Sequence, residues 1–371
     1  APAPTEIGAR VLAIGGSGLD AFAGVNGGTA EAMGFALEEV DFGLALISEQ
    51  AGIGATARQF TTLAADAGRV GFVGLDGLSV SAEQLRVEIN RGVAGSNGAQ
   101  DVVIDHSFRQ LEVLAGAGTT VTLDSDGALG QLTRASGDLS LNLFDFVTLD
   151  GNLAFEQSSR TVTLAERDGV TEQVAVDALL VGGSDLEAFV GINGSDTESR
   201  IGLGLSETDF GLALLADRET GQRKWTSLQA SAAQLGFEGI DGLTAEATEL
   251  SVSINQASGE NTVVDYTVTD LSVPIDSSGN AITLAMDGSE GETLKAAGNL
   301  ALDVFGFFSV SGGFAIEHRA QDVGLVDTEG NRSTLESAQL ITIGGSDVDA
   351  CLTAREQRAV EERPRDGLER P

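Results

Sequence analysis

Leu78-Ser-Val-Ser-Ala-Glu-Gln-Leu-Arg-Val-Glu-Ile-Asn90 alternates apolar and polar residues, and the rhythm returns in Leu243-Thr-Ala-Glu-Ala-Thr-Glu-Leu-Ser-Val-Ser-Ile-Asn255. Leu78, Val80 and Ala82 keep a period of two, then the chain steps three residues to Leu85, Val87 and Ile89. The second stretch does the same with Leu243, Ala245 and Ala247, then Leu250, Val252 and Ile254. Period two marks strands, because successive side chains leave opposite faces. The three-residue step reads as a corner between short strands. Leu139, Leu141 and Leu143, then Phe144 and Phe146, then Leu149, Leu153 and Phe155 follow the same pattern. Pro274 is the one proline between Pro4 and Pro364, which suits ladders that need every backbone N–H. The expectation is an all-β chain: a β-solenoid or parallel β-helix, with two β-sandwich units as the alternative. At ~20–25 residues per coil and ~4.8 Å per strand spacing, such a solenoid would be about 70 Å long.

Working outward, the similarity covers far more than these two stretches. Phe60 to Arg91 aligns without gaps on Trp225 to Gln256, with 15 of 32 positions identical. Asp41-Phe-Gly-Leu-Ala-Leu46 returns unchanged as Asp209 to Leu214, and Gly151–Glu156 matches Gly312–Glu317. Ile14-Gly-Gly-Ser-Gly-Leu-Asp-Ala-Phe22 recurs as Val181-Gly-Gly-Ser-Asp-Leu-Glu-Ala-Phe189 and begins again as Ile343-Gly-Gly-Ser-Asp-Val-Asp-Ala-Cys351. Self-similarity at a period of about 165 residues predicts two repeat units, 11–177 and 178–339, with a third starting at 340–351. Length differences fall in Gly/Ser/Asn stretches such as Gly92–Gln100, where loops accept insertions. Residues 1–10 read as the end of a preceding unit. Leu352–Pro371 carries 5 Arg, 5 acids and 2 Pro, a break in composition that predicts unrelated, disordered or read-through sequence.

Composition narrows the function. The chain has 371 residues, 56 Asp+Glu against 21 Lys+Arg, and a net charge of −35, which excludes a basic phosphate-binding face for nucleic acid. The longest uncharged apolar stretch, Val304 to Ile316, is too short for a membrane helix, and no membrane insertion is expected. No positively charged and then apolar stretch of the signal-peptide kind opens the sequence at Ala1. A lone Cys351 excludes a disulfide framework, and two histidines leave little for zinc or triad chemistry.

Carboxylates therefore carry the candidate chemistry, and calcium is the expected ion. Gly15 to Ala23 fits the nonapeptide Gly-Gly-x-Gly-x-Asp-x-apolar-x, in which Asp20 would be a ligand; the alternative is a Gly-rich turn leading into a core Phe. Asp124-Ser-Asp126 before Gly127 places two carboxylates ahead of a turn, where they can converge on one ion. Asp287 and Glu290 stand at the equivalent place in the second unit, where the alternative is a solvated acidic turn. Divalent ions would also relieve the self-repulsion of so acidic a chain. Asp105-His106 becomes Asp265-Tyr266 in the second unit, so His106 reads as an exposed loop-edge residue rather than a base. Glu156 and Glu317 occupy matching positions, as do Asp41/Asp209 and Asp76/Asp241.

The doubled Gly-Gly-Ser…Ala-Phe and Asp-Phe-Gly-Leu-Ala-Leu motifs resemble the tandem arrays of very large bacterial secreted or surface proteins, adhesin-like and calcium-dependent, over residues 11–351. The resemblance implies an extracellular or cell-surface location, a structural role, and calcium. The partners it implies are the other units of a longer array and a cell-surface or polysaccharide ligand. The competing expectation is a metal-dependent hydrolase acting on sugars, esters or lactones through surface carboxylates.

Overall fold

The computed structural model describes residues 7–50, 56–93, 102–166, 169, 171–258 and 262–352. The expected tail after Leu352, residues 1–6 of the first segment and most of the Gly92–Gln100 loop lie outside these. The described chain is built from β-strands. In the first half they are β1 (Ala9–Val25), β2 (Met33–Glu49), β3 (Gln59–Val73), β4 (Leu78–Val93), the hairpin β5 (Leu111–Gly116) and β6 (Thr119–Leu123), β7 (Leu132–Leu143) and β8 (Val147–Ala165). The second half repeats that order. It has β9 (Thr171–Ile192), β10 (Ile201–Asp217), β11 (Lys224–Glu238), β12 (Leu243–Ser258), β13 (Val263–Val264), the hairpin β14 (Ser272–Pro274) and β15 (Ala281–Thr283), β16 (Thr293–Val304), β17 (Phe308–Val326) and β18 (Arg332–Leu352).

The all-β expectation holds, but the sheet is not coiled as a solenoid or parallel β-helix. One 14-stranded sheet runs β1-β2-β3-β4-β7-β8-β9-β10-β11-β12-β16-β17-β18, with β13 paired to β8, and every ladder is antiparallel. Its strands reach 22 residues, whereas a solenoid coil uses runs of a few. Neither does it form sandwich units, because among the described residues only short hairpins lie over it, β5–β6 on β1–β3 and β14–β15 on β8–β10. The boundary at 177/178 falls inside β9, in the middle of a strand.

The misread feature is the three-residue step. Gln84 and Glu249, which make the step in β4 and β12, sit at φ 51° and 52°. Each is an extra residue inside a continuous strand, a bulge and not a corner. Similar residues stand at the same level in the neighbouring strands: Gly18 (φ 61°), Glu39 (55°), Asp185 (52°), Glu207 (46°) and Asp347 (50°). Register skips at Glu83/Arg86, Asp150/Asn152, Thr248/Ser251 and Ser311/Gly313 follow the same line. A crease thus runs across the sheet from β1 to β18, marked by bulges in β1, β2, β4, β8, β9, β10, β12, β17 and β18, while β3, β7, β11 and β16 pass through it without one. A bulge and a corner both add one residue to an alternating run, so sequence alone does not separate them.

The core lies where the second half's excursion folds back over the junction with the first. Val162 and Leu164 of β8, Val176, Ala178 and Leu180 of β9, and Ala213 and Leu215 of β10 are buried under Val264, Tyr266, Val273 and Leu284. Trp225 closes one side, its indole N–H donating to the Thr262 carbonyl at 2.9 Å. The equivalent cluster in the first half is much smaller: Ala45, Ala64, Val113 and Leu123. On the opposite face, Val87, Ala135, Phe155, Val181, Leu212 and Leu228 are successive register partners, an apolar row across the strands.

Candidate functional site

The richest collection of chemistry among the described residues is a cleft of about 530 Å³ at the junction of the halves. Its floor is β4, β7 and β8 of the first half; its wall is the turn Asp276–Asn280 between β14 and β15 of the second. Alternation places Glu88 on β4, Arg134 on β7 and Glu156 on β8 on one face, and these are direct register partners. Glu156 is 1% exposed and is held by Arg134 at 2.6 Å, Arg160 at 2.5 Å and the Ser158 hydroxyl at 2.7 Å. Arg134 also reaches Glu88 at 3.4 Å. Two guanidiniums over one buried carboxylate make a satisfied ion cluster. Glu317 has the same neighbours in kind, Lys295 at 3.7 Å and Arg319 at 3.6 Å, but is more exposed.

The five predicted metal ligands fall in three places. Asp124 and Asp126 line the cleft together. Asp126 caps the short 3-10 turn at Gly127–Leu129, accepting from the Ala128 N–H at 2.8 Å, and Asp124 lies 3.8 Å from Arg86. Asp287 caps the matching turn at Gly288–Glu290 by accepting from the Ser289 N–H at 2.8 Å, and the Ser289 hydroxyl together with that N–H holds its carboxyl below the usual range. Glu290 pairs with Lys295 at 2.5 Å. Asp20 is far from both, at the crease, where it accepts from the Glu39 N–H at 3.2 Å. No group of three or more His, Cys, Asp or Glu able to hold a metal ion occurs among the described residues. Asp124 and Asp126 by themselves are a small part of the six to eight oxygens that calcium takes.

Asp20 belongs to a set that the sequence presented as a nonapeptide. Gly-Gly-Ser-Gly is not a turn: it lies within β1, and Gly18 takes the left-handed conformation of the crease. The freed N–H groups are taken up by carboxylates across the strand. Gly18 donates to Asp41 at 2.7 Å and Asp185 to Asp209 at 3.0 Å; Glu207 donates to Glu187 at 3.1 Å, as Glu39 does to Asp20. The Ser17 hydroxyl and the Gly18 N–H lower the Asp41 pKa below the ordinary carboxylate range. A left-handed glycine followed by an acid suits a calcium loop and a clamped bulge equally, so the sequence pattern could not choose between them.

The excursion carries a second duplicated device. Asp105 accepts from the Ser107 N–H, the Ser107 hydroxyl and the Gly127 N–H, and Asp265 accepts from Thr267 and Gly288 in the same way. His106 is 2% exposed, not at an exposed loop edge; its Nε2 lies 3.1 Å from the Thr62 hydroxyl. Desolvation lowers its pKa, while the Arg109 backbone and nearby Asp105 and Asp124 oppose that. Tyr266 is buried at the matching position, where desolvation raises its phenol pKa. Asn90 and Asn255 tie the excursions down through the carbonyls of Ile104 at 2.6 Å and Val264 at 2.8 Å.

Sequence reading singled out Glu156 and Glu317 but missed their partners. A signal was present: Arg134 and Lys295 align, so both halves keep an opposite charge at a fixed distance from the shared Glu. No helix of the described residues is long and apolar enough to cross a membrane. Comparison of the chain with family models, with curated proteins and with solved structures finds no match.

Proposed function

We propose that this chain is a structural repeat segment of a large bacterial extracellular or surface protein, in which successive units extend one antiparallel sheet. The observation that carries this reading is the junction. The second half's excursion covers the last strand of the first half through β13 on β8 and through the shared core at Leu164, Leu180 and Val264. A device of this kind joins one unit to the next. Duplication of the bulge clamps, capped turns and Glu-centred ion clusters supports it, because each pair does the same structural task twice.

Calcium stabilisation is part of the proposal through Asp124 and Asp126, whose cleft is closed by the next unit's turn. Thermal unfolding after chelation, with and without added calcium, is the test. One site at a hundredfold excess over its dissociation constant adds about 2.7 kcal/mol, so the midpoint should rise, and Asp124→Asn with Asp126→Asn should abolish the rise. An unchanged midpoint removes calcium from the proposal. Turnover of an ester or glycoside substrate that is lost in Glu156→Gln while the fold persists would overturn the structural reading itself.

A further inference from the structure

β1, β9 and β18 carry the same Gly-Gly-Ser motif in three different surroundings. β9 is flanked on both sides, by β8 and β10, and is covered by the β14–β15 hairpin. A methyl group on Gly182 would strike the Pro274 carbonyl oxygen of that hairpin, and one on Gly15 would strike the Leu114 carbonyl of β5. Gly344, the third member, has nothing within 4 Å of that position. Among the described residues β18 pairs with β17 alone, and Ile341 and Ile343 are 70% and 77% exposed where their counterparts Leu179 and Val181 are half-buried. Cys351 is exposed, whereas Phe189 at its counterpart position is 2% exposed beneath Arg200 and beside Gly202 of β10.

The same contrast appears one layer in. The cleft over Arg86, Glu88, Arg134 and Glu156 is walled by Asp276–Asn280 of the following unit. Its counterpart over Ser251, Ser253, Lys295 and Glu317 is an open groove of about 690 Å³. The cation–carboxylate pair of the floor is kept as Lys295 and Glu317, while Ser251 and Ser253 replace Arg86 and Glu88, and no turn of a following unit walls the groove among the described residues.

We infer that the β16–β18 face and the free edge of β18 are the seat of one further unit with the β10–β17 architecture. Its first strand pairs antiparallel with β18 as β10 pairs with β9, and its hairpin rests on Gly344 as β14–β15 rests on Gly182. This deepens the structural-segment proposal and rests on it. A second copy of the whole chain does not fill the seat in this register, because its own β1 is the counterpart of β18 and would duplicate it. Continuity with the junction already present inside the chain identifies the occupant.

The test inserts a second copy of residues 191–352 after Leu352 of the full chain, with the inserted cysteine changed to serine. Cys351 reactivity toward a maleimide should fall at least tenfold, as expected for a side chain taken to Phe189-like burial. Gly344→Ala should leave the midpoint of the native chain unchanged and lower that of the extended one, whereas Gly182→Ala should lower both. Overturning results are an inserted segment that raises the strand signal in circular dichroism while Cys351 labels at its original rate, or one that does not fold on this face at all. Either leaves the structural reading standing; that reading is decided by the substrate and Glu156→Gln experiment, so the two failures are separable.

Discussion

Glu39, Gln84, Asp185, Glu207, Glu249 and Asp347 hold a left-handed backbone that costs an L-residue about 1–2 kcal/mol, and they do so inside strands. Gly18 shows the relaxed solution at the same level. Asp185→Gly should therefore stabilise the chain by about 0.5–1 kcal/mol in urea unfolding, since its N–H to Asp209 is kept. Glu156→Gln removes a buried carboxylate from between two guanidiniums and should cost about 2 kcal/mol or more. Glu317→Gln, with its looser and more exposed partners, should stay within about 1 kcal/mol. His106 supplies a pH test. Its folded pKa is depressed, so below the unfolded value near 6.5 the unfolded chain binds the extra proton and stability falls as pH falls. His106→Tyr installs the residue found at the matching position and should remove that part of the decline between pH 7 and 5, read as the difference in unfolding midpoints.

The hairpins differ in what they cover. Leu180 lies beneath β14–β15 in the large cluster, while Leu123 of β6 belongs to a cluster of four buried residues. Leu180→Ala should cost about 3–5 kcal/mol and Leu123→Ala about 2–3 kcal/mol, with Trp225 fluorescence reporting the larger core directly. At this scale the sequence was a good guide to strands and a poor one to their length. Leu78–Asn90 and Leu243–Asn255 showed the right alternation and the right position for its break. They could not show that Gln84 and Glu249 turn left-handed within one strand. Parallel coils and antiparallel meanders give the same local period, because what distinguishes them is which distant segment becomes the neighbour. The candidate site was legible in part for the same reason: Glu156 stood out through the match between halves, and Arg160 is four residues along the same strand, but Arg134 became its neighbour only through the β7–β8 register. Asp20 was selected by a motif whose glycine and acid serve a bulge.

Across the whole molecule, the buried apolar residues concentrate at the junction and in the second half, so opening should not be uniform. Hydrogen exchange should show β1–β4 and the β5–β6 hairpin opening before the β8–β11 block, as nearest-neighbour coupling in a repeat predicts. A reversed order would mean that the junction is not the strongest contact. Acid adds a second global test. Hydrogen bonds from Ser107, Ser195 and the Glu219 N–H hold Asp105, Asp145 and Asp217 below the ordinary carboxylate range. Depressed folded pKa values mean that the unfolded chain takes up protons first, so their contribution is present above about pH 4 and is lost as pH falls through the folded values.

The crease has a consequence for assembly. A chain whose two halves carry near-identical strands risks pairing the wrong partner, or the right partner one residue out of step. Slippage by one residue would turn each strand's faces over and leave carboxylates such as Asp41 and Asp209 facing no freed amide. The bulges therefore work as alignment marks on the strands that carry them: such a strand fits only where its freed amide meets the carboxylate beside it.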